Sequence, residues 1–417
     1  MLTFWREGSP EARKALVAAS LGWMLDSFDV MLYALVLASI IRELGMSTAT
    51  AGLLGSLTLL ASAAGGLLFG VLADRYGRTR ALIWSVLIYS VFTALCGVAQ
   101  SVTQLAVFRV CLGIGMGGEW ASGAALVSET WPAKHRGKAL GLMQSAWAIG
   151  YGLAAIVTAL VLPRWGWRTV FFVGIIPALF TLWVRRHVPE PALWQARGAG
   201  KAGGASRAGW TEGIRAAWDG LFGGGRARVT LVVIVMNACT MYAWWGFNLW
   251  IPAYLSLPAT RGGIGLSPAA MSGLIVAMQV GMWFGYVTFG FIGDAIGRKR
   301  AYVTYLLCAA ALVLLYASTR NVLALLLLGP FVAFFGTGYF SGFGAVTAEL
   351  YGTGIRATAQ GFTYNIGRVA SAAAPFAVGS LAQTRGFGAA FATAAVAFVL
   401  AALAWFWIPE TRGRELT

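Results

Sequence analysis

The chain has 417 residues, of which 59% are hydrophobic and only 11% charged, with a mean hydropathy of +0.72. A water-soluble domain of this length needs far more polar surface, so the composition excludes one. The net charge of +16 would suit a nucleic-acid partner, but the basic residues are spread over short loops between apolar runs, a pattern that fits attraction to anionic membrane lipids instead.

In chain order, the N-terminus is polar and amphipathic (Arg6, Glu7, Glu11, Arg13, Lys14) and lacks the apolar core and small-residue cleavage site of a secretory signal. Apolar runs of roughly 20 residues, long enough to cross a bilayer, follow at 17–41, 52–73, 80–99, 104–128, 138–162 and 168–188. A polar stretch at 189–228, rich in Gly, Ala and Arg, reads as a flexible connector. Within it Trp210, Ile214, Trp218, Leu221 and Phe222 recur at near-helical spacing opposite Glu212, Arg215 and Asp219, which predicts a short helix on the membrane surface. Six more apolar runs lie at 229–256, 269–293, 301–318, 322–348, 357–383 and 387–408. Lipid offers the backbone no hydrogen bonds, so each run is expected to be a helix. The expected fold is an all-α membrane protein with 12 transmembrane helices in two pseudo-symmetric six-helix halves, 1–188 and 229–417, joined by 189–228. Cys96, Cys111, Cys239 and Cys308 fall inside apolar runs without metal-type spacing, and no metal or cofactor is expected.

The halves are related by a repeat of 220 residues. Gly70-x3-Asp74-x2-Gly77-Arg78-x-Arg80 reappears as Gly290-x3-Asp294-x2-Gly297-Arg298-x-Arg300. Glu129, Arg136 and Gly141 return as Glu349, Arg356 and Gly361, and Pro189-Glu190 returns as Pro409-Glu410. Several coincidences at one offset imply a duplicated unit. With both termini on one side, that side holds 23 basic residues and the other 6. This asymmetry predicts that the termini and cassettes are cytoplasmic.

Charge inside the spans is rarer and more selective. Of fifteen acids, only Asp26, Asp29 and Glu119 lie well within apolar runs, and Arg109 and Arg368 are the only bases so placed. A charge at mid-bilayer costs on the order of 2.5–3.5 kcal/mol by insertion scales unless it faces water or a partner. Asp26, Asp29 and Tyr33 share one face of the first helix. Two carboxylates so close disfavour double ionisation, which suits a proton carrier. Glu119 is the alternative carrier. An Arg in a low-dielectric cavity binds carboxylates through its planar fork of donors, which points to Arg109 and Arg368.

The duplicated cassette after the second and eighth helices resembles the signature loop of the major facilitator superfamily. Arg109 with Gly113, Gly115 and Gly117 resembles that superfamily's second motif, and the Pro-Glu endings also fit. The resemblance covers essentially the whole chain and implies two halves that open a central cavity alternately to either side. It further implies that Asp74, Arg78, Glu129 and Arg136, with Asp294, Arg298, Glu349 and Arg356, act as gating charges. Asp26-Ser-Phe-Asp29 resembles the paired-acid motif of aromatic-acid:proton symporters. Gly117-Gly118-Glu119-Trp120-Ala-Ser122-Gly123 and the run Trp244 to Leu255 look more like monocarboxylate and sialate symporters. Both branches imply no enzyme activity and no cofactor beyond the coupling proton.

The expected function is proton-coupled uptake of a small organic anion, a monocarboxylate such as lactate or pyruvate, by a functional monomer in a bacterial inner membrane. An aromatic-acid, sialic acid or sugar symporter and a drug or metabolite antiporter remain open alternatives. No nucleic-acid partner is expected. Candidate substrate residues are Tyr33, Arg109, Trp120, Gln144, Trp245, Asn248, Gln279, Tyr339, Asn365 and Arg368. Proton coupling is expected at Asp26, Asp29 and Glu119. The tenth run, Gly336-Thr-Gly338-Tyr339-Phe-Ser341-Gly342-Phe-Gly344, is glycine-rich enough to bend.

Overall fold

The computed structural model describes residues 5, 7–190, 218–351 and 356–412, and every regular element among them is helical. The expected surface helix lies largely outside the described residues; only 218–222 of it are described, and they are helical. The side chains of Asp74, Trp120, Arg136 and Arg356 also lie outside.

The first half comprises α1 (Pro10–Glu43), α2 (Thr48–Tyr76), α3 (Arg78–Cys96), α4 (Val102–Thr130), α5 (Ala133–Val173) and α6 (Ile176–His187). The second comprises α7 (Ala227–Asn248), α8 (Ile251–Ser256), α9 (Pro268–Ile296), α10 (Arg298–Ser318), α11 (Val322–Thr337), α12 (Phe343–Leu350), α13 (Arg356–Ser371) and α14 (Ala373–Ala404). Ten stretches are long and apolar enough to span a membrane, and two of them, Lys138–Thr181 and Ala359–Ala404, run for 44 and 46 residues. Straight helices of that length would reach about 66 and 69 Å, more than twice the hydrocarbon thickness. Each is broken where a glycine leaves helical geometry, at Gly166 (φ 76°, ψ 176°) and Gly386 (φ 79°, ψ 168°). Each therefore crosses twice, giving twelve crossings. On the tenth crossing Leu323, Leu327 and Phe331 form an exposed stripe, which only an apolar solvent tolerates.

The 220-residue repeat extends into backbone geometry that the cassettes alone did not reveal. Ser47 and Ser267 each cap the helix that follows, accepting from the Thr50 and Ala270 N–H groups, as Ser101 and Asn321 do for Gln104 and Ala324. The positive-φ glycines Gly45 and Gly265, Gly77 and Gly297, and Gly166 and Gly386 pair at the same offset.

The halves meet along two antiparallel pairs, α2 against α14 and α5 against α9. Away from the cassettes they are sealed. The Thr48 hydroxyl donates to the Gly379 carbonyl (2.8 Å), the Phe376 N–H donates to Ser56 Oγ (3.1 Å), and a Cβ on Gly52 would stand 2.2 Å from the Pro375 carbonyl. Following the register toward the cassettes sets repeat glycines face to face. A Cβ on Gly152 would contact Gln279 at 3.6 Å, and eleven residues further along each helix stand Gly141 and Gly290. A Cβ on Gly66 would stand 3.9 Å from Asn365 Oδ1, and four residues further stand Gly70 and Gly361. Among the described residues no atom lies within 4 Å of a Cβ built on any of these four glycines, so each stands in open space.

Three crossings of the second half are interrupted, the seventh at Leu249–Trp250, the tenth by a 3-10 turn at Gly338–Gly342, and the eleventh at Ala372 ahead of Pro375. Backbone groups freed in an apolar interior need substitute partners. Tyr151 OH donates to the Asn248 carbonyl (3.5 Å), Tyr302 OH to that of Tyr339 (2.8 Å) and Trp250 Nε1 to that of Pro375 (2.9 Å), while Ser56 receives the Phe376 N–H. Tyr151 and Ser56 belong to the opposite half. The equivalent positions of the first half lie in continuous helix within α1, α4 and α5, the last broken only further on, at Gly166.

Candidate functional site

A cavity lies between the halves, lined by Trp23, Gln144 and Trp147 from the first and by Met241, Trp244, Trp245, Tyr286, Phe340, Tyr364 and Arg368 from the second. The aromatic rings interlock. Trp23 and Trp147 lie 4.7 Å apart between centroids, Trp147 meets Trp245 edge-on at 6.2 Å, and Trp244 meets Phe340 at 6.1 Å. Arg368 is the only cation in the lining among the described residues and is 5% exposed. No carboxylate of a described residue comes within 4.0 Å of its guanidinium. An Arg without a close carboxylate partner can accept a carboxylate through its planar fork of donors.

Gln144, Trp245 and Arg368 were expected here from the sequence. Several lining residues that were not expected stand one turn from residues that were. Trp147 follows Gln144 by three positions, Met241 precedes Trp245 by four, and Tyr364 precedes Arg368 by four. Face periodicity around each polar residue was thus the available signal.

Other candidates lie elsewhere. Arg109 does not line the cavity: it is 1% exposed, with Cζ 3.7 Å from the Tyr33 ring centroid, so it is held by a cation–π contact. The Tyr33 hydroxyl donates to the Ala51 carbonyl (2.9 Å), which ties α1 to α2. Asn248 lines a smaller apolar pocket of about 260 Å³ within the second half, which shares Trp244 with the central cavity. Gln279 donates to the Ile275 carbonyl, Tyr339 is buried beneath the cavity, and Asn365 donates to the Gly361 carbonyl. None of these three lines the central cavity. Trp120 cannot be placed, because its side chain is outside the described residues.

The three acids gather at the junction of α1, α3 and α4, and all are at most 1% exposed. Glu119 lies against Gly22, one turn before Asp26: a Cβ there would stand 2.5 Å from Glu119 Oε1. Neither Glu119 oxygen has a hydrogen-bond partner among the described residues. Asp29 lies beside Gly174 and Thr93, since a Cβ on Gly174 would approach both. Asp26 is within Coulombic reach of Glu119, Asp29 and, across the halves, Arg368. The proton-carrying candidates therefore form one cluster, of which Asp26 is within Coulombic reach of the cavity's cation.

The cassettes form compact charge clusters, each inside its own half. Arg78 grips Glu129 with two nitrogens, at 2.9 and 3.2 Å. Arg298 pairs with Asp294 at 2.7 Å and Glu349 at 3.4 Å. The repeated Pro-Glu endings explain themselves here: Glu190 accepts the Thr79 and Arg80 N–H groups, and Glu410 accepts those of Arg298 and Lys299. Each caps the start of the helix after the cassette glycine. Partial burial pushes the Glu410 carboxyl up, but backbone N–H groups of Arg412, Arg298, Lys299 and Thr411 outweigh it and hold it below the usual range. The expected gating partners Asp74, Arg136 and Arg356 have side chains outside the described residues.

A family model described as Major Facilitator Superfamily matches residues 19–259 and 255–417. The chain is similar to the cis,cis-muconate transport protein of Acinetobacter baylyi, 32% identical over 401 residues and covering 95% of this chain and 94% of that one. It is likewise similar to the sialic acid transporter of Escherichia coli, 31% identical over 420 residues and covering 98% of each. A crystal structure of a D-xylose-proton symporter shares the fold, with a TM-score of 0.78 over 97% of this chain and all of that one at 21% identity.

Proposed function

The chain belongs to the Major Facilitator Superfamily and is a membrane transporter, and from that premise we propose that it takes up a small organic carboxylate together with a proton by alternating access. The observation that carries this reading is Arg368, a buried cation in an aromatic-lined cavity with no carboxylate of a described residue within 4.0 Å, whose Coulombic reach extends to Asp26 of the buried acid cluster. The substrate carboxylate docks on Arg368 with its body between the rings. A proton on the Asp26, Asp29 and Glu119 cluster removes negative charge from the path of the anion, so each binding favours the other. The facing glycines at 70 and 361 and at 141 and 290 let the cassette end close without side-chain obstruction. The excess of basic residues at that end supports a cytoplasmic assignment.

Among the acids the sequence leaves open, the lining favours flat unsaturated or aromatic carboxylates over lactate and pyruvate. A three-carbon acid leaves the ring faces of the lining without contacts. The names of the two relatives, muconate and sialic acid transporters, agree in the carboxylate.

The test uses the full chain in proteoliposomes with labelled benzoate, cis,cis-muconate, lactate and sialate, with and without an imposed proton gradient. The expected outcome is gradient-driven accumulation of benzoate or muconate. In Arg368→Gln, accumulation and exchange are both lost. Accumulation unaffected by collapsing the gradient would refute the coupling, and transport surviving Arg368→Gln would refute the docking site.

A further inference from the structure

Tyr89 occupies the centre of the acid cluster. It lies on α3 and is fully buried, and its hydroxyl has no hydrogen-bond partner among the described residues. Close packing fixes it there. A Cβ on Gly115 of α4 would stand 2.7 Å from the Tyr89 backbone nitrogen, and Ser85 Oγ donates to the Gly115 carbonyl at 2.7 Å. Gly115 is one turn from Glu119, so the α4 face that meets Tyr89 also carries the glutamate. Thr93, one turn along α3, abuts Gly174 together with Asp29. Gly22, against Glu119, is one turn from Asp26 on α1. Three helix faces thus converge with Asp29 on one side of Tyr89 and Glu119 on the other, and the phenol lies within Coulombic reach of all three acids.

Few other ionisable groups stand near. Cys96 is within Coulombic reach of Asp29 and Arg368 of Asp26, while Arg109 is held against Tyr33. Residues 48–73 and 176–184 carry no ionisable side chain, and 139–163 carry only Tyr151. An unpartnered polar group buried at this depth is costly unless it has work to do.

We infer that the Tyr89 hydroxyl is the relay that passes the coupling proton between the helix-1 acids and Glu119. The inference rests on the proton-coupled reading above. In the step, a protonated carboxyl gives its hydrogen to the phenol oxygen while the phenol gives its own hydrogen to the receiving carboxylate. One O–H bond breaks and one forms at each transfer, and the phenol ends neutral. Tyr89 touches no substrate in this scheme; it is a positioning and relay residue that lets three acids titrate as one unit.

The test needs no substrate. Purified full-length protein is subjected to a rapid pH jump, and the protonated-carboxyl C=O stretch is followed by time-resolved infrared difference spectroscopy. The Glu119 component is the one missing from Glu119→Gln. Tyr89→Phe, which removes one oxygen and keeps the ring, is expected to slow the appearance of that component about ten-fold or more at unchanged final amplitude, because the phenol supplies a proton path rather than an equilibrium contact. Tyr89→His restores the rate, since an imidazole also relays protons. A Tyr89→Phe rate equal to wild type overturns the relay, as does a Tyr89→His rate as slow as Tyr89→Phe. If Tyr89→Phe does not fold, Tyr89→His decides alone: a relaying imidazole makes the rate depend on its own titration, and a pH dependence identical to wild type overturns the relay. A wild-type protein without any pH-sensitive carboxyl component would instead overturn the proton-coupled reading itself.

Discussion

Residues 26–32 and 246–252 occupy the same positions of the repeat, yet they have become opposites. The first is continuous helix carrying Asp26 and Asp29; the second has Gly246 and Leu249 at those positions and breaks at Leu249–Trp250 ahead of Pro252. The contrast holds throughout. Glu119 corresponds to Tyr339 in the 3-10 turn, Arg109 corresponds to Gly329, and Arg368 of the second half corresponds to Ala148. The first half keeps its charges on unbroken helices, where their surroundings are fixed. The second keeps one cation, an aromatic lining and three breaks. Buried charge tolerates little movement, because each lost contact leaves an uncompensated ion. A cavity that must open and close needs helices that bend, and discontinuous helices supply this. The duplicated scaffold has therefore placed the buried acids in its first half and, among the described residues, the cavity's cation in its second.

The division makes graded predictions. Arg368→Gln removes the cavity's cation and should weaken carboxylate binding by about 3 kcal/mol, roughly a hundred-fold, by analogy with loss of one partner of a buried charge pair. Direct binding of benzoate or muconate by calorimetry measures it. Glu119→Gln should cut gradient-driven uptake at least a hundred-fold, the low end of about 10²–10⁴ for loss of an acid–base group, while exchange of labelled for unlabelled substrate persists. If exchange falls equally, the halves do not divide the labour. Shared features should respond alike. Gly77→Ala and Gly297→Ala each force a side chain into φ near 115° and 100° and against the capping glutamate. Each should cost about 1–3 kcal/mol, visible as matching losses in thermal stability.

Smaller effects test the joints between the halves. Ser56→Ala removes the cap that one half lends to the broken eleventh crossing of the other, a loss of about 1 kcal/mol. It should shift the conformational equilibrium about five-fold toward opening the end away from the cassettes, read by spin-label distances across Thr48 and Gly379. The smallest effect concerns Glu410. Its carboxyl is held below the ordinary range when folded, so its stabilisation is complete at neutral pH and lost as acid protonates it through the lower folded value. Melting curves from neutral to acid pH should show this loss in wild type and not in Glu410→Gln.

Much of the scaffold was legible because it rests on rules that act locally. Apolar length, basic-loop asymmetry and the fixed offset of the cassettes gave the crossings and the two halves, and the breaks at Gly166 and Gly386 fall inside the gaps expected between runs. The site was legible only at its charged members. Gln144, Trp245 and Arg368 line the cavity as expected, whereas Arg109, equally rare in a span, is held against Tyr33. Sequence marks a buried charge as costly but does not say which neighbouring helix meets it.

The sequence by itself determined a duplicated twelve-crossing membrane protein, because bilayer thickness and backbone hydrogen bonding act on each segment alone. Tertiary structure alone decided that Tyr89 sits among three acids on two other helices, that the repeat glycines stand in open space, and that Ser56 and Tyr151 complete broken helices across the interface. Those facts depend on which faces of distant helices meet, and the packing of the whole bundle sets that.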